Sequence, residues 1–295
     1  MNHLKSMAMI FIAASLWGTI SIFIKQLSAL GLTSMEIVAI RCFWALVSLF
    51  IIMILFLKDS WKLEKITDIK YFIGTGIVSI VFFNYCYFQT ITHLNISIAV
   101  ILLYTAPIFV SIFSYFLFHE RLTKKKMFFV FLTFIGCAMI AGFSISSLNI
   151  SFFTLLIGLG SGVGYALYTI FSRYALKKYT PLLITFYTFF VATIFLFISL
   201  KLWTKFSIIF SGEILWYGLG LGVFPTVCAY LLYTKGLEQV ENTKAAVIST
   251  IEPIVATIVA ISLFQEKISL LQIIGSIVII ISVIMINKKE DVLVS

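Results

Sequence analysis

Long apolar runs separated by short, mostly basic connections set the character of this chain. The stretch from Met7 to Leu27 carries one charge, Lys25, and comparable runs occupy about 35–57, 71–92, 97–118 and 127–143. A second set lies at about 151–172, 181–203, 214–234, 245–264 and 268–286. Each run approaches the roughly 20 residues that a helix needs to cross a bilayer. The pattern predicts ten transmembrane helices and an all-α integral membrane protein. Thr33-Ser34-Met35-Glu36 and Ser269 to Gln272 have the spacing of capping boxes opening the second and tenth spans, and Thr180-Pro181 that of an N-cap followed by a first-turn proline. The first span is longer than a signal-peptide core and is expected to remain as a span.

The pattern also repeats. In ungapped register, residues 71–140 recur 146 positions later at 217–286, so that Tyr71, Gly74, Gly76, Tyr87, Pro107 and Glu120 fall on Tyr217, Gly220, Gly222, Tyr233, Pro253 and Glu266. Apolar coincidences are cheap in so hydrophobic a chain, whereas matches at Pro, Glu, Gly and Tyr are not. Trp17-Gly18 has its counterpart at Tyr165-Ala166. Two copies of five spans are predicted, residues 1–145 and 146–290, and an odd number of spans turns the second copy upside down. After Glu120 the chain reads Arg-Leu-Thr-Lys-Lys-Lys; after Glu266 it reads Lys-Ile-Ser-Leu-Leu-Gln, the same corner without its positive charge.

Composition changes the picture little: 61% hydrophobic and 11% charged residues exclude an ordinary soluble domain. The net charge of +9 does more. With the N-terminus inside, sixteen basic residues fall in cytoplasmic segments (Lys58 and Lys289 among them) and only Lys25, Lys201, Lys205 and Lys267 outside. That bias predicts cytoplasmic N- and C-termini rather than nucleic-acid binding. Cys42, Cys86, Cys137 and Cys228 are isolated in apolar spans and read as core residues.

Candidate chemistry is sparse. His119-Glu120-Arg121-Leu122-Thr123 begins like a zinc-protease signature, but Thr123 replaces the second histidine, and the repeat copy starts Gln265-Glu266. No metal, cofactor or catalytic group is expected, and no enzyme. Alternate glycines from Gly158 to Gly164 read as helix packing, not a phosphate loop. Glu252 lies midway along the ninth span, where an ionised side chain costs about 2.5–3.5 kcal/mol on insertion scales. Its counterpart is Ala106, so the fold can build that corner without a carboxylate. Ser249 is expected on the same face, either beside a solute path or as the partner of a protonated Glu252. A functional Glu252 is a candidate proton carrier or the counter-ion of a cationic solute group. Arg41, the other intramembrane charge, either snorkels towards the interface or pairs with solute or helix. Pro107 and Pro253 predict bends at equivalent depths. Tyr104, Trp17, Asn84, Tyr85, Tyr165, Tyr168 and Tyr230 are candidate polar and aromatic walls, in competition with positions at the lipid interface.

Trp17-Gly18, Arg41, Tyr104-Thr105-Ala106-Pro107 with Glu120-Arg121-Leu122-Thr123, and Glu252-Pro253 with Glu266 resemble the EamA family of the drug/metabolite transporter superfamily. Gly136 and Gly275 suit glycines that follow the glutamate in such repeats, while Phe129 and Ser282 depart from them. The resemblance covers essentially the whole chain. It implies a ten-helix carrier of two inverted repeats around a central cavity, working by alternating access and often exporting amino acids or related metabolites. The expected function is a secondary transporter, exporting in preference to importing, of a small neutral or zwitterionic solute. The expected location is the cytoplasmic membrane of a bacterium. An uptake permease and a non-transporting membrane scaffold or sensor are the alternatives.

Overall fold

The computed structural model describes residues 2–56, 61–142 and 151–288. Lys58, Lys289 and the expected boundary between 145 and 146 lie outside the described residues. Ten long helical segments follow one another: α1 His3–Ala29, α2 Ser34–Phe56, α3 Ile66–His93, α4 Ile96–Phe118, α5 Lys124–Ala141, α6 Phe152–Ala175, α7 Pro181–Ser199, α8 Gly212–Leu237, α9 Asn242–Phe264 and α10 Leu270–Asn287. Among the described residues, nine are long and apolar enough to cross a membrane by length and composition. The exception is α5, whose first turn holds Lys124, Lys125 and Lys126. Its remaining turns are apolar and pack along α10.

Local chemistry sets the helix ends as the sequence predicts. Glu36 accepts from the Thr33 N–H at 2.9 Å while the Thr33 hydroxyl faces the Glu36 N–H, and Ser269 with Gln272 forms the corresponding box on α10. Thr180 caps α7 with Pro181 in its first turn.

The helices pair in a pattern that survives exchanging the first five with the second five. α1 packs on α8 and α9, and α6 correspondingly on α3 and α4; α2 meets α7, and α5 meets α10. Irregularities recur at matching positions. α3 widens into a π-helical turn at Gly74–Val81 and α8 at Val223–Cys228. α4 breaks at Tyr104-Thr105 and α9 at Thr250-Ile251, and each resumes with its proline in the first turn. The prolines therefore begin new half-helices at the two positions where bends were expected, because a proline lacks the N–H that would tie it to the preceding turn. Each second half ends in a left-handed residue, His119 and Gln265, both at φ 55°.

The α5–α10 contact rests on two glycines. A Cβ on Gly275 would lie 2.7 Å from the Gly136 carbonyl oxygen, and one on Gly136 3.0 Å from that of Gly275. One glycine per helix therefore suffices, although Phe129 and Ser282 stand where further glycines were expected. Gly275→Leu is expected to destabilise the protein by about 1–3 kcal/mol, the usual range for overpacking. Thermal unfolding in detergent measures this, and an unchanged midpoint would refute the close approach.

Candidate functional site

A cavity of about 470 Å³ opens at one end of the bundle and reaches its middle. At the mouth lie Ile96, Ser97, Glu266, Lys267 and Gln272; the deep wall holds Trp17, Arg41, Asn84, Tyr104, Tyr165, Tyr230, Glu252 and Pro253. The volume sits within the range of small-molecule sites.

Glu252 is the first residue of the second half of α9, where the free N–H groups and dipole of a helix start favour negative charge. The Tyr165 hydroxyl donates to its carboxylate at 3.1 Å. α1 reaches this point because Gly18 has no side chain: a Cβ there would lie 2.8 Å from the Glu252 carbonyl oxygen. Ser249 is not the partner of Glu252. Its hydroxyl donates to the Ala245 carbonyl at 2.9 Å, and it faces a separate small pocket with Tyr104 and Ala246. The break at Thr250-Ile251 interrupts the helical period on which the shared face was inferred.

Arg41 does not snorkel. It is buried, lies 5.7 Å from the Tyr230 ring centre, and its Nε donates to the Thr226 hydroxyl at 2.8 Å. Pro225 explains this acceptor. Lacking an N–H, it cannot bond the Leu221 carbonyl, which the Thr226 hydroxyl takes instead at 2.7 Å, leaving its oxygen lone pairs to Arg41.

Trp17 stands edge-on to Tyr165 at 6.1 Å and to Tyr230 at 5.2 Å, so the paired positions of the two copies meet across the cavity. Tyr168 lies one layer behind, its hydroxyl 2.8 Å from that of Thr234 and its ring against Tyr230. Tyr85 is half-exposed and does not line the cavity. Asn84 lines it and donates to the Ile80 carbonyl at 2.7 Å. Tyr87, marked in the sequence only as a repeat match, and Phe88 were not among the expected cavity residues, although they lie three and four positions after Asn84 and thus on its helix face.

The opposite end is shut. Glu120 accepts from the Asn242 N–H at 2.8 Å, and from the Thr243 N–H and hydroxyl at 3.3 and 3.2 Å. Arg173 donates to Asn242 Oδ1 at 2.9 Å, to the Val240 carbonyl at 2.6 Å and to the Leu237 carbonyl. Lys126 pairs with Glu241 at 2.8 Å. Burial works against ionisation of Glu241, but the hydrogen bond and charge of Lys126, with Lys244 beside it, hold its carboxyl below the usual range. Its pairing is therefore present above the ordinary carboxylate pKa and is lost as pH falls through the lowered value. His3 bonds the Gln239 carbonyl and Lys125 that of Lys288, so both ends of the described chain lie here.

A helical membrane protein with a cavity open at one end and latched at the other has the architecture of a membrane transporter. Comparison with known proteins agrees. The model of the EamA-like transporter family matches residues 4–142 and again 152–288, and the chain belongs to that family. It is 28% identical to an uncharacterized transporter of Archaeoglobus fulgidus over 94% of each chain. It is 26% identical to an uncharacterized transporter of Clostridium kluyveri, covering 97% of this chain and 95% of that one. The uncharacterized transporter YyaM of Bacillus subtilis is 24% identical over 79% of this chain and 78% of its own. A solved crystal structure shares the fold, with a TM-score of 0.78 at 17% identity over 97% of both chains.

Proposed function

We propose that this transporter is a secondary carrier that exports small organic solutes bearing a protonated amine, such as amino acids, by exposing one central cavity to either side in turn. The observation that carries the reading is the half-buried Glu252 carboxylate in the deep wall of a one-ended, aromatic-walled cavity. A cationic nitrogen there gains both the carboxylate and the faces of Tyr165, Tyr230 and Trp17. Arg41 supplies the opposite charge on the same wall, which suits a zwitterion and disfavours a solute with several like charges.

The halves 1–145 and 146–290 are two copies of one unit whose helices interlock around this cavity. By the excess of lysine and arginine, the end holding Glu120 and both described termini faces the cytoplasm, and the cavity faces outward. Glu252 is the group through which a proton gradient would couple to solute movement.

Flux from proteoliposomes containing only the purified protein tests the reading. A panel of amino acids, amines and carboxylates is expected to show saturable flux of amine-bearing solutes, with and without an imposed pH gradient. A scaffold would move none of them. Flux confined to anionic solutes would refute the role given to Glu252.

A further inference from the structure

We propose that Glu266 is a latch that closes the open end of the cavity, its carboxylate taking the N–H groups of Ile96 and Ser97 and the Ser97 hydroxyl at the start of α4. The shut end is the template. There Glu120 takes the Asn242 and Thr243 N–H groups and the Thr243 hydroxyl at the start of α9. The 146-residue shift that relates the copies carries Glu120 onto Glu266, Asn242 onto Ile96, and Thr243 onto Ser97, with a hydroxyl at the same place.

The carboxylate and the two N–H groups of the second latch stand ready and unengaged, while Gln272 and Asn95 beside them bond within their own corners. Glu266, Ile96 and Ser97 all lie at the cavity mouth. Among the described residues the Glu266 carboxylate makes no hydrogen bond or ion pair, and the Ile96 and Ser97 N–H groups have no acceptor. Asn95 caps only the next donor, that of Ile98, at 2.8 Å. A carboxylate on the first N–H groups of a helix makes charge-assisted bonds and meets the positive end of its dipole. Glu266 follows the left-handed Gln265 as Glu120 follows His119, so the two carboxylates leave their corners alike.

Neighbouring groups follow the same mapping. Lys126 and Glu241, an ion pair at 2.8 Å, correspond to Gln272 and Asn95, an amide pair that can bond without charge. In the Trp17–Tyr165 register Arg173 corresponds to Lys25, which now rests 3.7 Å over the ring of Phe264, two residues before Glu266. One latch thus holds four charged side chains and the other two, which favours the state with the Glu120 end shut.

The proposal rests on the carrier reading, but its test needs no solute. Single cysteines are placed at Val100, which lines the mouth, and at its counterpart Ala246, which is buried. Labelling by a water-soluble thiol reagent is read against the background of the parent chain. Glu266→Gln is expected to raise the Val100→Cys to Ala246→Cys ratio of labelling rates about tenfold, the size of a lost charge-assisted interaction; Glu120→Gln should lower it by a similar factor. Ser97→Ala, a half-exposed substitution that leaves both carboxylates in place, should act with the sign of Glu266→Gln and keeps the test alive if Glu120→Gln does not fold. A ratio unmoved by both Glu266→Gln and Ser97→Ala, or moved in the direction of Glu120→Gln, overturns the latch. Solute flux is measured separately: flux with an unresponsive ratio sinks the latch alone, and a responsive ratio without flux of any solute sinks the carrier reading alone.

Discussion

Glu252→Gln is expected to reduce flux of an amine-bearing solute at subsaturating concentration by about 10- to 100-fold while leaving the fold intact. Gln is nearly isosteric, and its carbonyl oxygen can still accept the Tyr165 hydroxyl that donates to Glu252 at 3.1 Å. What it removes is the charge, and a hydrogen bond to a charged group is worth about 1.5–3 kcal/mol. Tyr165→Phe, which keeps the charge and removes one neutral donor, should cost about tenfold or less. The pH dependence of flux should flatten in Glu252→Gln if this carboxylate is the group that titrates. A purely structural Glu252 makes the opposite forecast: flux and pH profile unchanged by Gln, thermal stability lowered by Leu. Initial rates at several pH values, with thermal unfolding of the same preparations, separate the two.

Much of this arrangement is legible in the sequence because lipid enforces it. A helix that must satisfy its backbone inside a bilayer shows itself as an apolar run of fixed length, and ten such runs are visible. The corners at Glu120 and Glu266 and the breaks ahead of Pro107 and Pro253 are legible because Pro and Glu are rare enough here for their repetition to carry information. The facing of residues around the cavity is less so. Ser249 and Glu252 share a face on a continuous helix, and only the break at Thr250-Ile251 turns them apart. Tyr87 and Phe88 are hidden in a chain with 13 tyrosines and 30 phenylalanines, where an aromatic facing lipid and one facing the cavity look alike. The acceptor for Arg41 depends on a π-turn in α8, 185 residues away, built around Pro225. Helical periodicity in α2 gives no hint of it.

Arg173→Ala is expected to have the largest effect on the shut end, about 2–4 kcal/mol against that closure. Arg173 is half-buried on α6 and binds three acceptors together: Asn242 Oδ1, the Leu237 carbonyl and the Val240 carbonyl. These belong to the turn joining α8 to α9, so the guanidinium clamps that turn onto α6, the helix that packs on α3 and α4. Bonds from a charged donor contribute about 1.5–3 kcal/mol each, and partial exposure together with rewetting of the freed carbonyls brings the sum down to the stated range. Asn242 is the more sensitive partner, because its N–H is already held by Glu120 at 2.8 Å and its side-chain Nδ2 is buried without a partner. Losing Arg173 strips its remaining side-chain bond and loosens the start of α9, the element that carries Glu252 at its centre. A cysteine at Ala246 should therefore label about 30-fold faster or more in Arg173→Ala. Arg173→Lys, a point charge able to reach one or two of the acceptors, should fall between the two. Equal labelling in all three proteins, with equal thermal midpoints, would show that the clamp contributes nothing to closure and that Glu120 with the Lys126–Glu241 pair holds this end alone.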